Sequence, residues 1–208
     1  MKYVLLCLCW YLCKRNKAIY EKIVKRTTLT RKQQSYILSL NSSATLLCFG
    51  IYFNYVLATN NFDVKMYVIN ANGNVSMLSI VFFTSYLISD MVIGREHYHT
   101  FLCTLTGYPH HLVYLFINLL ALAKGTECCN YYNLYMLAEL PTTILGIGSL
   151  NAKLRSDRLF GGSFFLTRIF YHSLLTFLLR HNALVMRVAL FVLPVHMYWF
   201  KNWLKKYY

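Results

Sequence analysis

His110 and His111 stand side by side after Pro109, at the head of the apolar run LVYLFINLLALAK (112–124). Proline suits the first position of a helix, where its missing N–H would be unpaired anyway. The two imidazoles therefore fall in a first turn, where the positive end of the helix dipole disfavours imidazolium. A neutral imidazole is the form that serves as a general base, or as a nucleophile toward an acyl carbonyl. Tyr114 follows His110 by four residues and Asn118 follows Tyr114 by four, so a polar stripe descends one helix face. Two interfacial histidines bonded to lipid headgroups are the structural alternative.

Other chemistry-bearing residues interrupt apolar stretches, where a charge costs roughly 2.5–3.5 kcal/mol on insertion scales and wants a partner. Tyr86 and Asp90 share a helix face within SYLISD (85–90); a solvated Asp90 at the membrane surface is the bland reading. Glu139 lies in the run YNLYMLAELPTTILGIGSL, just before Pro141. The proline frees a backbone carbonyl, which Thr142 and Thr143 can bridge. Arg168 and His172 are again four apart, inside SFFLTRIFYHSLLTF. A guanidinium cannot shed its proton, so Arg168 requires an acid, and Asp90 and Glu139 are the two intramembrane candidates. A purely structural ion pair would satisfy the same requirement.

The elements that must hold these residues follow from composition. The 208-residue chain is 57% hydrophobic and 13% charged, with a mean hydropathy of +0.41. Too little polar surface remains for a soluble domain, and several apolar runs reach the roughly 18 residues that span a bilayer. The runs do not alternate as barrel strands would. The expected fold is all-α, a polytopic transmembrane helical bundle of six or seven spans. Spans are expected at 35–57, 77–94, 109–124, 131–150, 159–180 and 184–204. Residues 1–34 are expected to form a short hydrophobic segment (3–13) followed by a basic cytosolic loop, with the transmembrane domain at 35–205. Residues 3–13 are too short to cross without snorkelling by Lys2 and Lys14, and no small-residue cleavage site follows them.

The formal charge of +14 comes from 21 Lys+Arg against 7 Asp+Glu. It concentrates in 14–34, in Lys153, Arg155 and Arg158, and in Lys205 and Lys206, whereas 58–76, 125–130 and 181–183 are nearly free of Lys and Arg. These basic segments fall on one face, which predicts a cytosolic C-terminus and contact with anionic headgroups rather than with nucleic acid. Lys205-Lys206-Tyr207-Tyr208 resembles a dilysine retrieval signal of endoplasmic-reticulum membrane proteins, read by coat proteins; an interfacial anchor with Trp199 and Trp203 is the alternative. Seven cysteines form no C-x-x-C pair. Most, including Cys48 and Cys103, are read as buried thiols; acylation of Cys7, Cys9 and Cys13 is the rival, and Cys128 and Cys129 are too close for an ordinary disulfide framework.

The polar sites, in this order, resemble the TLC-domain family of multi-span membrane proteins. The residues that carry the resemblance are Thr84 to Asp90, His110-His111, Glu139-Leu140-Pro141-Thr142-Thr143, Phe164 to Phe170 with Arg168, and Tyr198-Trp199-Phe200. It covers roughly 35–205. Ceramide synthases, the family's characterised enzymes, pass a fatty acyl group from acyl-CoA to a sphingoid amine, and their signature adds a downstream H-D-x-x-D. Here Ala138-Glu139 stands in that region with no second acid three residues on, and Asn41-Ser42-Ser43 stands where many members carry a histidine. The resemblance is closer to the branch that modulates membrane phospholipid composition.

The resemblance implies a lipid-handling protein of an internal membrane, with membrane lipids as partners and no bound cofactor. In a catalytic version His110 or His111 accepts a proton or the acyl group, Glu139 or Asp90 orients the ring, and Tyr86, Tyr114, Asn118, Arg168 and His172 line the substrate cavity. Acyl-CoA would be the co-substrate, its phosphates met by Lys153, Arg155 and Arg158. A lipid-binding regulator needs the same cavity without turnover, and either version is compatible with a homodimer. A third class, the di-metal lipid oxidases, is suggested by Glu96-His97-Tyr98-His99 together with His110-His111. Such sites need about eight nitrogen ligands, and 7 histidines scattered over several helices do not supply a metal set. A proton path through Asp90, Glu139 and His172 is a further alternative.

Overall fold

The structure is a computed structural model that describes residues 2–102 and 107–207, and for Lys2 the backbone alone. Cys103 and Tyr208 of the sequence reading, and the Lys2 side chain, lie outside what is described. Every regular element among the described residues is helical. In chain order the α-helices are α1 (Lys2–Arg26), α2 (Arg31–Gln34), α3 (Ile37–Thr59), α4 (Val64–Asn70), α5 (Gly73–His97), α6 (Tyr108–Lys124), α7 (Thr126–Leu134), α8 (Leu140–Leu150), α9 (Asp157–Phe164), α10 (His172–Leu178) and α11 (Ala183–Tyr207). Among the described residues, three stretches are long and apolar enough to cross a membrane: Arg31–Thr59, Gly73–His97 and Ala183–Tyr207.

The helix starts are written in short polar residues. Thr30 and Gln33 form a reciprocal capping box on α2. Asp63 caps α4, Asn72 caps α5 and Ser156 caps α9, each accepting from backbone N–H groups of the first turn. Pro109 lies in the first turn of α6, as its missing N–H predicts. Gly125, at φ +97°, takes the left-handed step that turns α6 into α7.

Helix α5 is the centre of the bundle: 72% of its apolar window is buried, against 39% for α3 and 17% for α11. Val81, Phe82, Phe83 and Leu87 pack on Leu12 of α1, Leu46 of α3 and Met136. A second core gathers Phe53 and Leu57 with Tyr67, Leu134 and Leu175. The buried α5 serines bind neighbouring helices: Asn16 donates to Ser89 Oγ at 3.2 Å, Cys13 Sγ to the Ser85 carbonyl at 3.5 Å, and Asn133 to the Ser76 carbonyl at 3.1 Å. In a bilayer such bonds take over from the hydrophobic effect, which cannot distinguish a helix from a lipid tail.

Four expectations need correction. Residues 14–26 are not a loop: α1 runs unbroken to Arg26, burying Leu12, Asn16 and Tyr20 against the bundle with Lys14, Arg15, Lys17, Lys22, Lys25 and Arg26 exposed. The expected 131–150 helix is α7 and α8 joined by a 3-10 turn, Tyr135–Glu139. Pro141 cannot donate, and the chain tightens before it so that Leu140 N–H bonds the Leu137 carbonyl. The expected 159–180 helix is α9 and α10 joined by a π-helical stretch, Phe165–Tyr171. Finally, of the described cysteines only Cys129 is buried; Cys7 and Cys48 are exposed on the chain's apolar surface.

Candidate functional site

The sequence-predicted residues separate into two clusters. The first surrounds Asp90, 4% exposed near the end of α5. Tyr98 Oη donates to Asp90 Oδ1 at 2.6 Å, and His111 Nε2 lies 3.0 Å from Oδ2. The other ring nitrogen, Nδ1, lies 2.9 Å from the Gly107 carbonyl. Burial first, then the Asp90 carboxylate, pushes the Tyr98 phenol far above its ordinary range, so it remains a donor. Asp90 is thus paired rather than solvated, and its partners are Tyr98, eight residues on, and His111, rather than Tyr86 on the same helix face. Tyr86 stacks on Phe83 and touches the His111 ring edge, with centroids 5.8 Å apart.

The second cluster centres on Arg168, held by the π-helical stretch. Its Nε donates to the Ala138 carbonyl at 2.8 Å, its Nη2 to Thr142 Oγ1 at 2.7 Å, and Nη2 faces Glu139 Oε1 at 3.8 Å. Glu139, and not Asp90, is therefore the acid that Arg168 requires. The 3-10 turn and Pro141 present Ala138 and Thr142 to the guanidinium, while Thr143 Oγ1 lies 3.0 Å from the Glu139 carbonyl, its acceptor, and 3.1 Å from Ser43 Oγ.

Beside this pair opens a cleft of about 800 Å3 of empty space, its mouth included, between α6, α7 and α11. Its walls are largely aliphatic, with Ile117, Ala121, Val185, Val188 and Val192. Its polar lining comprises Tyr114, Tyr132, Tyr135, Glu139, Arg168, His172 and His196. Glu139 and Arg168 are the charged groups among its described lining residues.

Of the residues the sequence singled out, Tyr114, Glu139, Arg168 and His172 line the cleft; Asp90, Tyr86, His110, His111 and Asn118 do not. The stripe of α6 divides: Asn118 turns to α5, donating to Thr84 Oγ1 at 3.2 Å, while Tyr114 turns to the cleft. His110 links the clusters through ring contacts with His111, Tyr114 and Trp199 at 5.8, 4.6 and 5.3 Å. Trp199 in turn meets His196, and His196 meets His172 edge-on at 5.4 Å. The imidazole pair therefore adjoins the Arg168 cluster without sharing its cleft. Glu139 is therefore not the orienting acid of either paired histidine; of the two intramembrane acids it is Asp90 that touches an imidazole, that of His111.

Sequence reasoning missed His196. It stands two residues after Pro194 in α11 and has no polar neighbour at helical spacing, so nothing local distinguishes it. Tyr98 was read as part of a histidine-box remnant and is instead the Asp90 partner. Within that remnant His97 lies 3.8 Å from Glu96 and against the Tyr20 ring, while His99 is exposed. Among the described residues no three His, Cys, Asp or Glu side chains gather as a metal set. Of the basic residues expected to meet phosphates, Arg155 is already bound to Asp157 at 3.0 Å and to Tyr207 Oη at 3.1 Å. No family model, curated protein or solved structure matches the chain.

Proposed function

We propose that this protein is a multi-pass membrane protein that binds a membrane lipid in the cleft beside Arg168 and regulates the lipid composition of an internal membrane, such as the endoplasmic reticulum. The observation that carries the reading is the cleft itself. Its aliphatic walls, suited to a hydrocarbon chain, end at one cluster of polar groups. The TLC-domain resemblance points to the same class of ligand. Exposed Lys and Arg on α1 and around 153–158 suit the anionic headgroups of the cytosolic leaflet.

Acyl transfer from acyl-CoA is the second reading, and the histidine geometry favours binding over it. Both nitrogens of His111 already face acceptors, Asp90 and Gly107. His110 has ring contacts but, among the described residues, no orienting carboxylate. Catalytic imidazoles usually combine a free nitrogen with an acid on the other side of the ring, and neither member of the pair does. Replacing both histidines with alanine and profiling membrane lipids separates the two: lost acyl transfer by purified protein would favour the enzyme.

The direct test is the lipid that co-purifies with the protein, measured by native mass spectrometry. Val188→Trp, which fills the cleft from α11, is expected to reduce the bound lipid at least tenfold while the variant stays folded. Equal lipid in both proteins would show that the cleft is not the site.

A further inference from the structure

We propose that His196 is the polar anchor of this cleft and that it selects a neutral long-chain lipid bearing a hydroxyl group. The inference rests on the reading of the cleft as a lipid site and specifies its ligand. His196 is 2% exposed, yet it lines the cleft. Its Nδ1 lies 3.1 Å from the Arg168 backbone carbonyl. A carbonyl can only accept, so Nδ1 carries a proton, and in the neutral ring Nε2 is then a lone pair. That nitrogen faces Tyr114 Oη at 3.5 Å, the outer limit of a hydrogen bond. Edge-on contact with His172 and with Phe164 holds the imidazole in this orientation.

A lone pair and a phenol side by side at the end of an aliphatic wall are a matched pair for one hydroxyl. The hydroxyl donates to Nε2 and accepts from Tyr114 Oη–H, so it can satisfy both groups at once. An ether of the same length can accept but not donate. An ionised head fits poorly, because the two charges that line the cleft, Arg168 and Glu139, already face each other at 3.8 Å. A carboxylate or an ammonium would enter without a free counter-charge. His172 supports the same polarity, since its Nε2 lies 3.0 Å from the Ala189 carbonyl.

The experiment is displacement of a fluorescent sixteen-carbon probe from full-length protein in phosphatidylcholine nanodiscs, by hexadecanol and by hexadecyl methyl ether. Wild type is expected to prefer the alcohol about tenfold, the value of one well-made hydrogen bond that would otherwise leave its partner unsatisfied. His196→Asn keeps a side-chain N–H for the Arg168 carbonyl and withdraws the acceptor from the Nε2 position, so the preference should fall to about one. Tyr114→Phe, which removes one hydroxyl, should lower it less. Saturable binding of alcohol and ether with equal wild-type affinity, or a full preference in both variants, would overturn the proposal for His196 while leaving the lipid site intact. No saturable binding of either compound would overturn the lipid site and this inference together.

Discussion

His111 meets an acceptor at each ring nitrogen, and Asp90 meets a donor at each oxygen once one proton sits between Nε2 and Oδ2. With Tyr98 these groups form a closed network among residues 4%, 7% and 1% exposed. Breaking a buried pair by removing one partner costs about 3–5 kcal/mol, because the other is left unsatisfied. His111→Ala should therefore destabilise by about 3 kcal/mol in a detergent-solubilised thermal melt. Asp90→Asn, which still accepts from Tyr98 and can donate to His111, should cost clearly less. The reverse order would mean that Asp90 gains little from its imidazole. His110 has no such network, and the equivalence of the adjacent histidines in the sequence disappears in the fold: 100° of helix separates a structural ring from one that faces Trp199.

The elements that create the Arg168 cluster are both irregular, a 3-10 turn and a π-helical stretch, and their positions depend on close packing. A Cβ on Gly50 of α3 would lie 2.7 Å from Leu137 N and 2.8 Å from the Met136 carbonyl carbon, both backbone atoms of the turn. Gly50→Ala must push α3 from that turn, and a loss of about 1–3 kcal/mol is expected, as for other overpacked contacts. Unchanged melting would show that the turn moves freely. At the other end of the bundle, Arg155, Asp157 and Tyr207 tie the end of α11 to the start of α9. The hydrogen bond from Arg155 holds the Asp157 carboxyl below its usual range. A carboxyl depressed in the folded state stabilises above its unfolded pKa, near 4, and that contribution fades as pH falls through the folded value. The protection of the last-turn amides of α11, the ratio of intrinsic to observed exchange, should thus fall below about pH 4, and Asp157→Asn should abolish the dependence. A pH-independent tail in the wild type would rule out the tie.

Across the whole molecule, burial decreases from α5 outward to α11, and the outermost surface is apolar: Tyr55, Phe116, Phe177 and Phe191 are all more than half exposed. A chain dissolved in water would bury such rings, whereas lipid accommodates them. Cys48 tests this directly, since it is exposed midway along α3. In membranes opened on both faces a charged maleimide should leave Cys48 unlabelled, and should label it once detergent and denaturant remove the bilayer and the fold. Rapid labelling in the intact membrane would place that face of α3 in water. The all-helical class, the apolar stretches and the helix start at Pro109 were legible from the chain alone, because hydropathy and prolines act over a few residues. Arg168's need for an acid was legible too, since a guanidinium cannot neutralise itself. Which acid answered it, which histidine turned inward and where the cleft opened were decided by tertiary structure. Those outcomes depend on the helix breaks at 135–139 and 165–171, on a glycine contact 87 positions from its partner Leu137, and on His196 arriving from the last helix. Rotation about a helix axis is set by packing against distant neighbours, which local spacing does not encode.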